Sequence, residues 1–225
     1  MSDKKQIALV SATFNAVNPM MDYIAKNVPY IKPVNYLDGY MMEKIGKEGI
    51  TDECKLRIMD LITRACNDGA DGIILTCTIF SLYQPYFEKI FSCPIVTPDG
   101  AMLDAVSRLS GRTAILCTFE GTMETTKTNY LRYKAKNKAA GDEDEDEAPD
   151  MYLIPEAYEA MQSGHAAESY QYIQRKVMEL DSLYDYIVLA QISMSGAAEG
   201  LVTNHAKVFT SPSSAVNAIL NAIHD

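Results

Sequence analysis

Short apolar runs alternate with amphipathic stretches from one end of the chain to the other. Residues 6–10 read as a buried strand, followed by the polar turn Ser11-Ala12-Thr13. Asn18-Pro19 predicts a helix start, running through about Asn27. Residues 30–37 read as a second strand that ends at Asp38-Gly39. Thr51 is placed to cap the next helix, with Asp52 and Glu53 favourable in its first turn. Cys54, Ile58, Leu61, Ile62 and Ala65 recur on one face of it at helical spacing, and Gly69 ends it. Residues 72–76 are rich in Ile and Leu with no alternation, as in a strand buried on both faces of a parallel sheet. A helix is expected from Cys77 to Ile90, then a short strand at 94–96. Pro98 marks a helix with Met102, Ala105, Val106 and Leu109 inside.

The pattern then starts again. A strand is expected at 113–117, followed by a Thr-rich stretch at 118–130 and alternating basic residues at 132–138. Residues 134–150 read as a mobile charged loop, since they bury too little apolar area to order themselves. Residues 152–154 suit a strand, and Ala166, Tyr170, Ile173, Val177 and Leu180 form the buried stripe of a helix. Strands follow at 186–189 and 208–209. Ser213 or Ser214 caps a last helix that buries Val216, Ile219, Leu220 and Ile223.

Two of these strands echo each other. DGIILTCT at 71–78 and DYIVLAQI at 185–192 both open with Asp and run through a short apolar strand. The first then presents Cys77 and the second Gln191, an offset of 114 residues. The same offset carries Thr97-Pro98 onto Ser211-Pro212. One fixed offset without gaps means one structural unit used twice. The expected architecture is α/β: two Rossmann-like lobes with parallel sheets, related by a pseudo-two-fold axis. Residues 1–110 with 206–225 are expected to form the first lobe and 111–205 the second. Ligands of such sheets bind beyond the carboxyl ends of the strands, so the active site is expected in the cleft between the lobes.

Composition narrows the function. The chain has 225 residues, and 48% of them are apolar, ordinary for a soluble globular protein. No apolar run approaches the ~18 residues of a membrane span, and the start does not resemble a signal peptide. Net charge is −10, which argues against nucleic acid and anionic membranes as partners. Six of those charges belong to the run DEDEDE at 142–147, so the acidity is a local feature. Five cysteines, an odd number with no C-x-x-C pair, suit reduced thiols in a cytoplasmic protein. No histidine pair has metal-ligand spacing, and no glycine-rich phosphate loop or dinucleotide fingerprint is present. A cofactor-free, metal-free enzyme fits best.

Cys77 is the leading candidate for chemistry. An arbitrary cysteine is usually a small buried hydrophobe. This one lies just past a strand end and leads towards an expected helix N-terminus, where backbone N–H groups favour a thiolate. A thiolate there serves as base or nucleophile. Thr78 and nearby N–H groups are placed to hold a carboxylate or a developing enolate oxygen. Ser11, Thr13 and Asn15 follow the first strand, and Thr118 and Thr122 follow its counterpart. This set of small polar side chains suits a small anion bound without Lys or Arg. Cys117 also ends a strand but reads as core, as do Cys54, Cys66 and Cys93.

These residues resemble the aspartate/glutamate/hydantoin racemase superfamily. The segments that carry the resemblance are IALVSATFNAVNPM, NYLDG, DGIILTCTIF, CPIVTPDGAM, AILCTFEGTMETT, IVLAQISMSGA and FTSPSSAV. They span nearly the whole chain outside the charged loop. The resemblance implies two α/β lobes with the active site between them, no metal or cofactor, a small carboxylate-bearing substrate and a homodimer. In racemases of this family two cysteines flank the substrate Cα. Cys77 matches the first, whereas the second falls on Gln191. A glutamine does not exchange protons at neutral pH. Ser193 is close by, but serine without a partner is a poor base. The chain therefore resembles a branch of the family with an Ala-Gln-x-Ser-Met loop. It is expected to be an isomerase or racemase by label, with one-base isomerisation, decarboxylation or elimination as chemical alternatives. A degenerate protein that only binds a small carboxylate is the second expectation.

Overall fold

A computed structural model describes residues 4–138 and 148–223 of the chain. They form two compact units, residues 4–98 with 212–223, and residues 99–211. The acidic run at 142–147 lies outside the described residues.

The first unit holds a four-stranded parallel sheet in the order β2-β1-β3-β4. Its strands are β1 (Gln6–Ser11), β2 (Lys32–Leu37), β3 (Gly72–Leu75) and β4 (Ile95–Val96). β1 and β3 are the inner strands, and Ile7 to Val10 and Ile73 to Leu75 are fully buried. This is why neither run alternates. The helices between them are α1 (Phe14–Asn27), α2 (Met41–Glu48), α3 (Asp52–Asn67) and α4 (Gln84–Ile90). Helix α1 starts earlier than Asn18-Pro19 suggests. Thr13 caps it, its hydroxyl accepting the Asn15 N–H at 2.9 Å, and Pro19 lies inside the helix. Thr51 caps α3 as expected, and its buried residues are Cys54, Ile58, Leu61, Ile62 and Ala65.

The second unit repeats the arrangement. Its sheet has the order β6-β5-β7-β8, again all parallel. The strands are β5 (Thr113–Cys117), β6 (Asp150–Leu153), β7 (Tyr186–Leu189) and β8 (Lys207–Phe209). Its helices are α5 (Pro98–Ser107), α6 (Met123–Asn137), α7 (Pro155–Gln162) and α8 (Ala166–Leu180). Of the stretch expected as a loop at 134–150, residues 134–137 belong to α6 and Asp150 to β6, and residues 139–147 lie outside the described residues.

The closing helix of each copy is exchanged. Helix α5 follows β4 in the chain, yet its Met102, Leu103 and Val106 pack with Ile115, Cys117 and Val188 of the second unit. The last helix, α9 (Ser211–Ala222), follows β8 and packs on β3. A Cβ on Gly72 would lie 2.7 Å from Ile219 Cδ1, so glycine there permits the close approach. The unit boundaries therefore fall at 98/99 and 211/212, not at 110/111 and 205/206. β8 also pairs with β7, which keeps residues 207–209 in the second sheet.

The aspartates that open the two echo strands do the same work. Asp71 Oδ2 accepts the Gln6 N–H at 2.7 Å, and Asp185 Oδ2 accepts the Arg112 N–H at 2.8 Å. Each carboxylate thus ties the start of its strand to the inner neighbour strand and sets the parallel register. A nitrogen-bearing side chain faces each: Lys5 lies 2.8 Å from Asp71, and His205 Nε2 lies 3.2 Å from Asp185. The offset of 114 residues is a repeat of topology and of hydrogen bonding.

Candidate functional site

Cys77 and Gln191 occupy the same position in their own units. Each follows an inner strand, β3 or β7, with extended backbone, and each begins a 3-10 helix. The backbone equivalence extends to the step before: Thr76 N–H donates to the Val10 carbonyl at 2.9 Å, and Ala190 N–H to the Leu116 carbonyl at 3.1 Å. The regular helix expected from Cys77 is displaced. Residues Thr78–Tyr83 form the 3-10 helix, and α4 starts only at Gln84, where Pro85 suits a helix start. A strong helix dipole at Cys77 is therefore not part of the site. The local donors are the N–H groups of the 3-10 turn, one of which, from Phe80, is taken by the Cys77 carbonyl at 3.0 Å.

Burial separates Cys77 from the other strand-end cysteine. Cys77 keeps 6% of its surface exposed, while Cys117 keeps none. Burial pushes the Cys117 thiol up to about 11, and the neighbouring Thr122 and Thr126 hydroxyls pull only weakly the other way. Cys117 is thus a protonated core thiol at neutral pH, as its sequence context suggests.

Gln191 is held in one orientation. Its Oε1 accepts both the backbone N–H of Thr118 at 2.7 Å and the Thr118 hydroxyl at 3.1 Å. A backbone N–H only donates, so the amide cannot be flipped. The oxygen is committed to Thr118, which leaves the Nε2 amino group as the available function. Among the described residues Nε2 makes no hydrogen bond. Gln191 therefore offers a donor at the end of β7, not an acceptor or a base.

The remaining candidates sort in the same way. Ser11 is fully buried, and its hydroxyl lies 2.8 Å from Thr76 Oγ1, so it braces the strand end that carries Cys77. Thr13 is spent on the α1 cap. The Thr122 hydroxyl donates to the Phe119 carbonyl at 2.7 Å and shapes the turn after β5. Thr118 positions Gln191. By contrast, the side chains of Asn15, Thr78 and Ser193 make no hydrogen bond among the described residues. The uncommitted polar groups are thus Asn15, Thr78, Gln191 Nε2 and Ser193. No Lys or Arg occurs in the segments 11–15, 76–78, 118–122 and 191–193. No group of three or more His, Cys, Asp or Glu is placed to hold a metal among the described residues. No described helix is long and apolar enough to cross a membrane.

Asp99 and Asp38 read in the sequence as turn residues or caps, and the partners they gather are not visible there. Asp99, in the first turn of α5, is fully buried and accepts from Asn129 Nδ2 at 3.3 Å. Asn129 shares the buried face of α6 with Thr125 and Thr126, a face too polar for apolar periodicity to reveal. Asp38 lies at the end of β2, where a cavity of about 660 Å³ is lined by residues of the 37–40 turn and of α3. Arg57 there grips Asp38 with two hydrogen bonds of 2.6 and 2.8 Å and holds its carboxyl below the usual range. None of the candidate residues lines that cavity.

No protein-family model matches the sequence, and no curated protein matches it. Solved structures do match in fold. Aspartate racemase from Picrophilus torridus superposes with a TM-score of 0.74 at 11% identity, covering 98% of this chain and 94% of that one. Glutamate racemase RacE1 from Bacillus anthracis gives 0.71 at 9% identity, over 99% and 83%. Allantoin racemase from Klebsiella pneumoniae gives 0.68 at 14% identity, over 97% and 87%. The chain therefore has the two-lobed α/β fold of the aspartate, glutamate and allantoin racemases.

Proposed function

We propose that the chain is a cofactor-independent enzyme of the Asp/Glu racemase superfamily, in which Cys77 works next to the carboxylate of a small acid. The observation that carries this reading is the pairing of positions. Cys77 and Gln191 stand at equivalent strand ends of two copies of one unit, in the fold of racemases. Acting as a thiolate, Cys77 takes the proton from the carbon beside the carboxylate. The electron pair moves onto the carboxylate, giving an enediolate. The Gln191 amino group donates to one oxygen of that enediolate, and Thr78, with Asn15 and Ser193, holds the other. Ser11, Thr13, Thr118 and Thr122 act at one remove, by fixing Thr76, the α1 start, Gln191 and the turn after β5.

A single thiol dictates the outcome. The proton on Cys77 returns to the face it left, or moves to another carbon of the same substrate. Alternatively, the electron pair expels a leaving group from the neighbouring carbon; or, with Cys77 starting as the thiol, the carboxylate departs as carbon dioxide, its bonding pair stays on the carbon, and Cys77 protonates that carbon. Inversion needs a second acid on the opposite face, and an amide does not supply one. In deuterium oxide the wild type is thus expected to wash deuterium into the α-carbon of its substrate faster than it inverts the centre. The measurement is a panel of small carboxylic acids followed by NMR and chiral chromatography, with Cys77→Ser beside the wild type. Unchanged turnover in the variant removes the sulfur from the mechanism. Binding with no exchange and no turnover in the wild type points instead to a carboxylate-binding protein, the reading that the absent second thiol favours.

A further inference from the structure

Two cysteines at the far edge of the first sheet form a thiol pair. Cys66 lies in the last turn of α3, and Cys93 lies between α4 and β4; both are half-buried. The backbone brings them together. After α3 the chain turns through Gly69, whose φ of +78° suits glycine, and the Ala70 N–H donates to the Ala65 carbonyl at 3.1 Å. This folds Ala70 back against the helix end. The Ala70 carbonyl in turn accepts the Cys93 thiol at 3.4 Å. β3 and β4 continue the same alignment, with the Ile73 N–H on the Pro94 carbonyl at 2.8 Å. The Cys66 sulfur is thereby a neighbour of the Cys93 thiol, near enough to oppose its ionisation.

We propose that Cys66 and Cys93 are a modification site, a dithiol that a low-molecular-weight disulfide converts reversibly to an intramolecular disulfide. The site does not depend on the reaction proposed for Cys77. Burial, with the Cys66 sulfur and Asp71 beside it, pushes the Cys93 thiol up to about 12. Cys93 is therefore protonated at neutral pH, and the first attack falls to Cys66. The Cys66 thiolate attacks one sulfur of the small disulfide; a mixed disulfide forms and one small thiolate leaves. The Cys66 sulfur then no longer carries the charge that opposes ionisation of Cys93. Cys93 releases its proton to solvent and attacks the Cys66 sulfur, and the second small thiolate leaves. The protein has lost two protons and two electrons, and the small disulfide has become two thiols. The new bond joins the end of α3 to the entry of β4 and closes a loop that the unfolded chain otherwise leaves open.

The test uses the full chain in buffers of oxidised and reduced glutathione, quenched by thiol alkylation and mapped by peptide mass spectrometry. The wild type is expected to lose two alkylatable thiols together and to yield a Cys66–Cys93 cross-linked peptide that dithiothreitol reverses. Cys93→Ser is expected to stop at a glutathione adduct on Cys66, and Cys66→Ser to leave Cys93 as a thiol. Cys77→Ser is expected to form the cross-link as the wild type does, which keeps this result separate from the catalytic reading. Cys66 and Cys93 staying alkylatable in fully oxidised glutathione overturns the proposal. So does a wild-type adduct on Cys66 that Cys93 never displaces.

Discussion

Gln191 carries two separable roles, and two substitutions divide them. Its oxygen satisfies the Thr118 N–H and hydroxyl, and Thr118 keeps only 6% of its surface exposed. Gln191→Ala strands that buried backbone donor. The cost of an unsatisfied buried group is about 1–3 kcal/mol. For a chain of this size that lowers Tm by about 2–4 °C per kcal/mol. Gln191→Glu keeps an acceptor of the same length on Thr118, so its Tm is expected to stay close to that of the wild type. It removes the amino donor, however, and puts a negative charge where the substrate carboxylate belongs. A lost hydrogen bond to a charged group is worth about 1.5–3 kcal/mol, or roughly 10- to 200-fold in kcat/KM. The assay pairs thermal unfolding of both variants with deuterium wash-in on whichever acid the wild type accepts. Gln191→Glu must be folded and slow. A Gln191→Glu enzyme within a few-fold of wild-type kcat/KM refutes the donor role.

Other outcomes follow from the same geometry. Gln191→Cys places a thiol at the position equivalent to Cys77 and is expected to raise inversion relative to exchange with retention, read by chiral chromatography in deuterium oxide. Gly72→Ala drives a Cβ to 2.7 Å from Ile219 Cδ1 and is expected to cost about 1–3 kcal/mol by overpacking, partly relieved by Ile219→Val. Asp181 takes the N–H groups of Asn204, His205 and Ala206 at 2.7, 3.0 and 2.7 Å, which hold its carboxyl down at about 2. Its folded-state value is depressed, so its contribution is complete above the unfolded value of about 3.8 and is lost as pH falls towards 2. Asp181→Ala is expected to flatten the acid limb of a stability–pH curve between those values.

The inner strands were readable because they are buried on both faces and repeat at one offset. Helices without a polar start signal were not. Helix α2 is preceded by Tyr40 and α7 by Ile154, and neither side chain makes a cap hydrogen bond. Helix α6 buries Thr125, Thr126, Asn129 and Tyr130, so its inner face reads as polar. Pro19 was misleading because Thr13, five residues from the Asn18-Pro19 pair, is the true cap. For the site, the strand ends and their residue types were visible in the chain. Which polar atoms remain uncommitted was not, since that depends on pairs far apart in sequence. Thr118 and Gln191 are 73 residues apart, and Ser11 and Thr76 are 65 apart. The swap of α5 and α9 was hidden for the same reason, because apolar stripes do not say which sheet they cover.

Selective alkylation tests the central assignment most directly. Iodoacetate is itself a small acid, and iodoacetamide is its neutral counterpart. If Cys77 is a reactive sulfur in a carboxylate site, the acid labels it ahead of Cys54, Cys66, Cys93 and Cys117. Small carboxylates then protect it, and the amide shows no such preference. Peptide maps in which Cys77 stays unlabelled while the half-buried Cys66 or Cys93 reacts, or in which carboxylates give no protection, contradict the assignment.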